Sequence, residues 1–260
     1  MNFILESNSP ILEVRSLDIG FSVEQHSQFN LRDQFVSFVK GPLNSIWKTK
    51  EIHTVLKDFD LVLKKGDRLG LLGVNGTGKT SLCRTIAGMY GKRRGVTAFG
   101  EVRAIFNTEI GIIPELTGEE NAHLLCSLMY PRTSKEEQKR IVEEALIFSE
   151  LREFQYRPFI TYSKGMKTRL FLSLVSALPC DLLILDEVFD GADVFFNDKI
   201  TARVKKMIHH SGAVIFVSHS IEHIRETCNR VVVLHQQRKA FDGGIEDGID
   251  YYLNNCGPMQ

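Results

Sequence analysis

Apolar and polar positions along the chain follow three rhythms. Short unbroken apolar runs, "RLGLL", "LLIL", "AVIFV" and "VVVL", show no alternation. Runs of this length bounded by turn signals are expected of strands buried on both faces. A second rhythm alternates. In "VLKDFDLVLKKGD", Leu56, Phe59, Leu61 and Leu63 fall mostly on one face, and Lys64-Lys65-Gly66-Asp67 predicts a turn. "ILEVRSLDIGFSV" reads as a strand pair near the start. The third rhythm is helical. A helix is predicted after "RLGLLG" to about Met89, and another after Ser163. Residues 115–158 read as helix broken at Pro131 and Thr133-Ser134, with Ser134 and Glu137 at capping-box spacing. "AVIFVS" and "VVVLH" each follow a helix-like segment. Strands alternating with helices predict an α/β fold with a mainly parallel sheet.

Residues 24–53 break this order. A loop longer than about 12 residues is uncommon unless it is functional or structured. Asn30 can cap a helix, and Leu31, Phe35, Phe38 and Val39 recur on one of its faces until Gly41-Pro42 ends it. So short a helix does not persist alone in water. Its apolar face packs either on its own domain or on a partner.

Composition narrows the classes. At 260 residues the chain can form one large α/β domain or a core domain with a subdomain. Lys plus Arg and Asp plus Glu each number 32, so no basic field points to nucleic acid. The apolar runs fall far short of a membrane span. "MNFILESNSP" lacks the basic and long apolar regions of a secretory signal. Cys83, Cys126, Cys180, Cys228 and Cys256 are scattered without a CxxC pair, which suggests reduced thiols in a cytosolic protein.

The candidate chemistry begins at "GVNGTGKTS", residues 73–81. Gly73-x-x-x-x-Gly78-Lys79-Thr80 fits the full P-loop pattern between a predicted strand and a predicted helix. Glycines let backbone N–H groups of Asn75, Gly76 and their neighbours turn inward on phosphate oxygens. The helix that begins near Ser81 aims its positive end at the same anion. Lys79 would reach the β- and γ-phosphates, and Thr80 would hold Mg²⁺.

"LLILDE", residues 182–187, supplies a partner. Asp186 emerges at the C-terminal end of a buried strand, where α/β sheets place their sites. It can complete the Mg²⁺ shell, and Glu187 can orient or deprotonate water. An acidic pair there can also do no more than cap the next helix. His219 follows "AVIFVS" at another strand end and could hydrogen-bond a γ-phosphate, or be a structural histidine.

The order of these elements resembles an ABC transporter ATPase subunit. "YSKGMKTR" (162–169) is similar to the family's Leu-Ser-Gly-Gly-Gln signature, with Tyr162, Lys164 and Met166 as departures and Ser163 and Gly165 retained. That variant, "PELTGEEN" (114–121) and "DEVFDGADVFF" (186–196) resemble the subgroup that exports polysaccharides and O-antigen-type glycans.

The resemblance implies one ABC ATPase domain over residues 1–260: a P-loop core, an antiparallel β subdomain and a helical signature subdomain at about 107–175. It implies ATP and Mg²⁺ as cofactors. Two copies would pair head to tail, with Ser163 and Gly165 of one facing ATP on the P-loop of the other. Asp193 would touch the opposite site. Asn107 is the nearest amide to the family's Q-loop glutamine and would join Thr80 and Asp186 at the Mg²⁺. His53 or Trp47 would be the ring on adenine. A membrane permease and a lipid-linked glycan of O-antigen, capsule or teichoic type would be partners, at the cytoplasmic face of the membrane. The insertion at 24–53 would face that membrane side. The other classes open are a soluble ABC-type machine on DNA or ribosomes and a regulatory nucleotide-binding subunit.

Overall fold

The computed structural model describes residues 9–22, 52–91, 94–106, 111–186, 194–218 and 220–256. Strands β1 (Pro10–Ser22), β2 (Ile52–Lys64) and β4 (Val96–Ala98) form an antiparallel sheet in the order β2-β1-β4. The second sheet has six strands. They are β3 (Arg68–Leu72), β5 (Val102–Ile105), β6 (Leu182–Asp186), β7 (Ala213–Val217), β8 (Arg230–His235) and β9 (Arg238–Gly243), in the order β5-β6-β7-β3-β8-β9. All are parallel except β9, which pairs antiparallel with β8.

The unbroken apolar runs have the expected cause. Leu182 and Ile184 of β6 belong to one buried cluster, Leu183 and Leu185 to the other. The first cluster also takes in β1, β2 and helix α1 (Lys79–Ile86). The second takes in α2 (Gly118–Met129), α3 (Lys135–Ser149), α4 (Lys164–Val175), α5 (Val194–His210), α6 (Ile221–Thr227) and α7 (Ile245–Asn255). Both faces of the central sheet are covered, so alternation has nothing to report.

The strand pair expected in "ILEVRSLDIGFSV" is instead one strand of 13 residues. Its inward residues change parity between Val14 and Leu17, because Ser16 is a bulge with φ 43°. β2 does the same between Leu56 and Phe59, where Asp58 has φ 47°. Each bulge amide is caught across the pair: Ser16 N–H donates to Asp60 Oδ1 at 2.8 Å and Asp58 N–H to Asp18 Oδ1 at 2.9 Å.

The first helix ends at Ile86 rather than near Met89, with Gly88 at φ 76° closing its last turn. In the 115–158 region the break at Pro131 holds. Ser134 caps α3 by accepting the Glu137 amide at 3.2 Å. The complete reciprocal capping box is one helix earlier, between Thr117 and Glu120. No helix among the described residues is long and apolar enough to cross a membrane. The helix expected within 24–53 lies outside the described residues.

Candidate nucleotide-binding site

β3 delivers the chain to the loop, and α1 receives it at Lys79. The loop is tied to itself. Lys79 Nζ donates to the carbonyl oxygens of Gly73 at 2.7 Å and Val74 at 3.2 Å. Thr77 Oγ1 donates to Val74 O at 2.9 Å. Gly73 and Gly78 cannot carry a side chain here. A Cβ on Gly73 would lie 2.7 Å from Leu234 O, and one on Gly78, at φ 95°, would lie 2.6 Å from Val55 Cγ1. Strands β8 and β2 thus wall the loop on two sides.

Above the loop the surroundings open. Asn75 and Gly76 are exposed, and nothing lies within 4 Å of a Cβ built on Gly76. The amides of Lys79, Thr80 and Ser81 open α1, where N–H groups have no acceptor one turn back. Thr80 and Ser81 are half-buried, and Lys79 is buried. A concave run of N–H groups, a helix N-terminus and an ammonium together fit a polyphosphate.

Asp186 ends β6, 3% exposed. It shares an electrostatic neighbourhood with the loop. Burial pushes the Cys83 thiol well above its ordinary value; the Asp186 charge adds to that, and Lys79 opposes it. Cys83 of α1 therefore stands near both. The oxygens of Asp186 and Thr80 are hard donors suited to Mg²⁺. Among the described residues no group of three or more His, Cys, Asp or Glu could hold a metal alone. A site of one carboxylate and one hydroxyl suits Mg²⁺, which takes its remaining ligands from phosphate and water.

Glu187 follows Asp186 directly, and His219 follows Ser218, one residue beyond β7. β6 and β7 are parallel neighbours, with Asp186 opposite Val217. Glu187, His219, Asn107, Asp193 and Trp47 lie outside the described residues. His53 is exposed on β2 opposite Phe21, two residues from the Val55 that abuts Gly78.

Ser163 is the N-cap of α4, and its hydroxyl accepts the Met166 amide at 3.2 Å. Ser163 is exposed and Gly165 half-buried. Behind Ser163, Tyr162 is 5% exposed and donates from its hydroxyl to Phe154 O at 2.7 Å. Burial pushes its phenol to about 12, so the group stays a neutral donor. Tyr162, Gly118 and Asn121 were not candidates on sequence grounds. The Thr117-x-x-Glu120 spacing was the available signal that a built helix start stood there.

Comparison with known proteins agrees with this geometry. The sequence pattern of the family described as "ABC transporter" matches residues 56–190. The chain is 35% identical over 208 residues to the O-antigen export system ATP-binding protein RfbE of Yersinia enterocolitica, covering 79% of this chain and 86% of that one. It is 34% identical over 201 residues to RfbB of Klebsiella pneumoniae, which carries the same description, with coverage of 77% and 81%. It is 29% identical over 205 residues to the teichoic acids export ATP-binding protein TagH of Bacillus anthracis, but spans only 37% of that longer protein. Among solved structures, a dimeric ATP-binding cassette in a post-hydrolysis state bound to ADP and Pi superposes with a TM-score of 0.65. That match is 19% identical and covers 90% of this chain and 98% of the other. At that identity it shows the fold: an α/β P-loop ATPase core with an antiparallel sheet beside it. The chain belongs to the ABC transporter family.

Proposed function

We infer that this chain is the ATP-hydrolysing subunit of an exporter that moves a polysaccharide or lipid-linked glycan across the cytoplasmic membrane. One observation carries the reading: 35% identity to an O-antigen export ATP-binding protein over 86% of its length. The named relatives support an exporter, rather than a machine on DNA or ribosomes. The glycan class, O-antigen, capsule or teichoic type, is left to the permease.

In this reading the loop amides, the N-terminus of α1 and Lys79 hold the β- and γ-phosphates of ATP. Thr80 and Asp186 would hold Mg²⁺, which neutralises charge on the phosphate oxygens when bound. Glu187 orients a water and takes its proton as the water oxygen bonds to the γ-phosphorus. The bond from that phosphorus to the β–γ bridging oxygen breaks, and ADP leaves. His219 hydrogen-bonds the γ-phosphate. His53 or Trp47 stacks on adenine, and Asn107 contributes from the Q-loop position. Ser163 and Gly165 act on ATP held by a second copy, to which α4 presents its N-terminus. Hydrolysis separates the copies. The helical elements pass that motion to a permease at the cytoplasmic face of the membrane.

The test is export in cells. With the permease co-expressed, wild-type protein should place glycan outside the cell, and Glu187→Gln should leave it inside. Co-purification with the permease should survive the substitution. Undiminished export with Glu187→Gln would overturn the reading.

A further inference from the structure

Residues 113–118 and 157–163 are joined side by side. Phe159 N–H donates to Leu116 O at 2.8 Å, Ile160 N–H to Pro114 O at 2.9 Å, and Gly118 N–H to Arg157 O at 3.3 Å. Thr117 and Pro158 form an antiparallel bridge between the two segments. Asn121, fully buried in α2, fastens the first segment from behind. Its Oδ1 accepts the Ile113 amide at 2.9 Å. Its Nδ2 donates to the carbonyl oxygens of Ile113, Leu116 and Thr117 at 2.9, 3.2 and 3.1 Å.

Tyr162 closes the assembly. Its ring lies 5.0 Å from that of Phe159, centroid to centroid. Its hydroxyl reaches Phe154 O, and a Cβ on Gly118 would lie 1.9 Å from it. The phenol therefore occupies the space that the absent side chain of Gly118 leaves open. The next residue in the chain is Ser163, the N-cap of α4. A leucine at 162 would fill part of this space but could not bond Phe154 O.

We propose that Tyr162 is a positioning residue for Ser163: wedged against Gly118 and bonded to Phe154, it fixes the N-terminus of α4 to α2 and the 113–118 segment. Tyr162 touches no nucleotide. It acts by holding Ser163 at one place, so its effect appears at the ATP of the partner copy. The inference rests on the paired-copy reading given above.

The experiment uses the full chain carrying Glu187→Gln, with ATP and Mg²⁺, and light scattering to read dimer formation. Adding Tyr162→Phe should raise the ATP concentration for half-maximal dimerisation about fivefold, the effect of losing one hydrogen bond to a carbonyl that keeps the Arg157 amide as its other donor. Gly118→Ala should act in the same direction although it keeps the phenol. Tyr162→Leu should cost less in the Gly118→Ala background than alone, because it frees room for the Cβ. ATP binding by the dilute monomer should stay within about twofold, since the monomer's own P-loop is untouched. Unchanged dimerisation in Tyr162→Phe and Gly118→Ala would overturn the proposal. So would an equal loss of ATP binding in the monomer, which marks general damage. Failure of the Glu187→Gln chain itself to dimerise with ATP would overturn the paired-copy reading, and this inference with it.

Discussion

Lys79 Nζ lies 2.7 Å from Gly73 O, so the last residue of the P-loop motif's glycine-lysine pair is bonded back to its first glycine. The lysine is thus a clasp on its own loop, and in the proposed function it is also a charge for the phosphate that the loop would surround. Lys79→Ala should weaken ATP binding roughly a hundredfold or more, since charge and loop shape are lost together. Lys79→Arg should not restore it, because a longer, planar guanidinium does not fit the buried place that a compact ammonium takes beside Gly73 and Val74. Isothermal titration with ATP measures both. Tight binding by either variant would count against the clasp.

The glycines of the loop should not respond alike. Gly78→Ala drives a Cβ to 2.6 Å from Val55 Cγ1 at φ 95°, whereas Gly76→Ala meets nothing within 4 Å at φ 84°. The first should cost about 2–3 kcal/mol of stability from overpacking and strain, the second about 1 kcal/mol from strain alone. Urea unfolding gives the two values. Equal costs would show that β2 does not wall the loop.

Stability should fall at alkaline pH. Burial raises the Tyr130 phenol from 10.0 to about 12, against a smaller opposing effect of Arg103. Burial raises Tyr162 in the same way. The unfolded phenols ionise first, so the folded state holds protons that the unfolded state has lost. Stability from these groups is complete below pH 10.0 and is lost as pH climbs toward about 12. Tyr130 donates to Leu174 O at 2.7 Å, so Tyr130→Phe should lower stability at neutral pH yet flatten the alkaline slope. Urea midpoints from about pH 8 to about pH 11.5 test the sign. A slope unchanged by Tyr130→Phe would refute the assignment.

Much of the fold was legible where one physical effect dominated. "LLIL", "AVIFV" and "VVVL" are buried on both faces, and their lack of alternation reported that directly. The P-loop was legible because phosphate binding needs its glycines at fixed spacing. Elsewhere tertiary effects intervened. The "strand pair" is one strand because the Ser16 and Asp58 bulges shift parity, and their stabilising bonds run from Asp60 and Asp18 across the sheet. The three-residue β4 is too short to show a period, and in β9, "RKAFDG", the apolar Ala240 and Phe241 stand side by side without alternating. Tyr162 looked like a departure from a signature. Its meaning depends on Gly118, 44 residues earlier by their numbers, and no local pattern links them. Glu187, His219 and Asn107 stand as readings of the sequence and lie outside the described residues.

The most direct test of the account is steady-state ATP hydrolysis by the purified chain, wild type against Glu187→Gln, with ATP binding measured on the same samples. The account predicts turnover that needs Mg²⁺ and stops on its chelation. It predicts that Glu187→Gln binds ATP with an affinity close to wild type and hydrolyses it roughly a hundredfold more slowly or less. Near-wild-type turnover in the Glu187→Gln chain, or turnover indifferent to Mg²⁺, would contradict it.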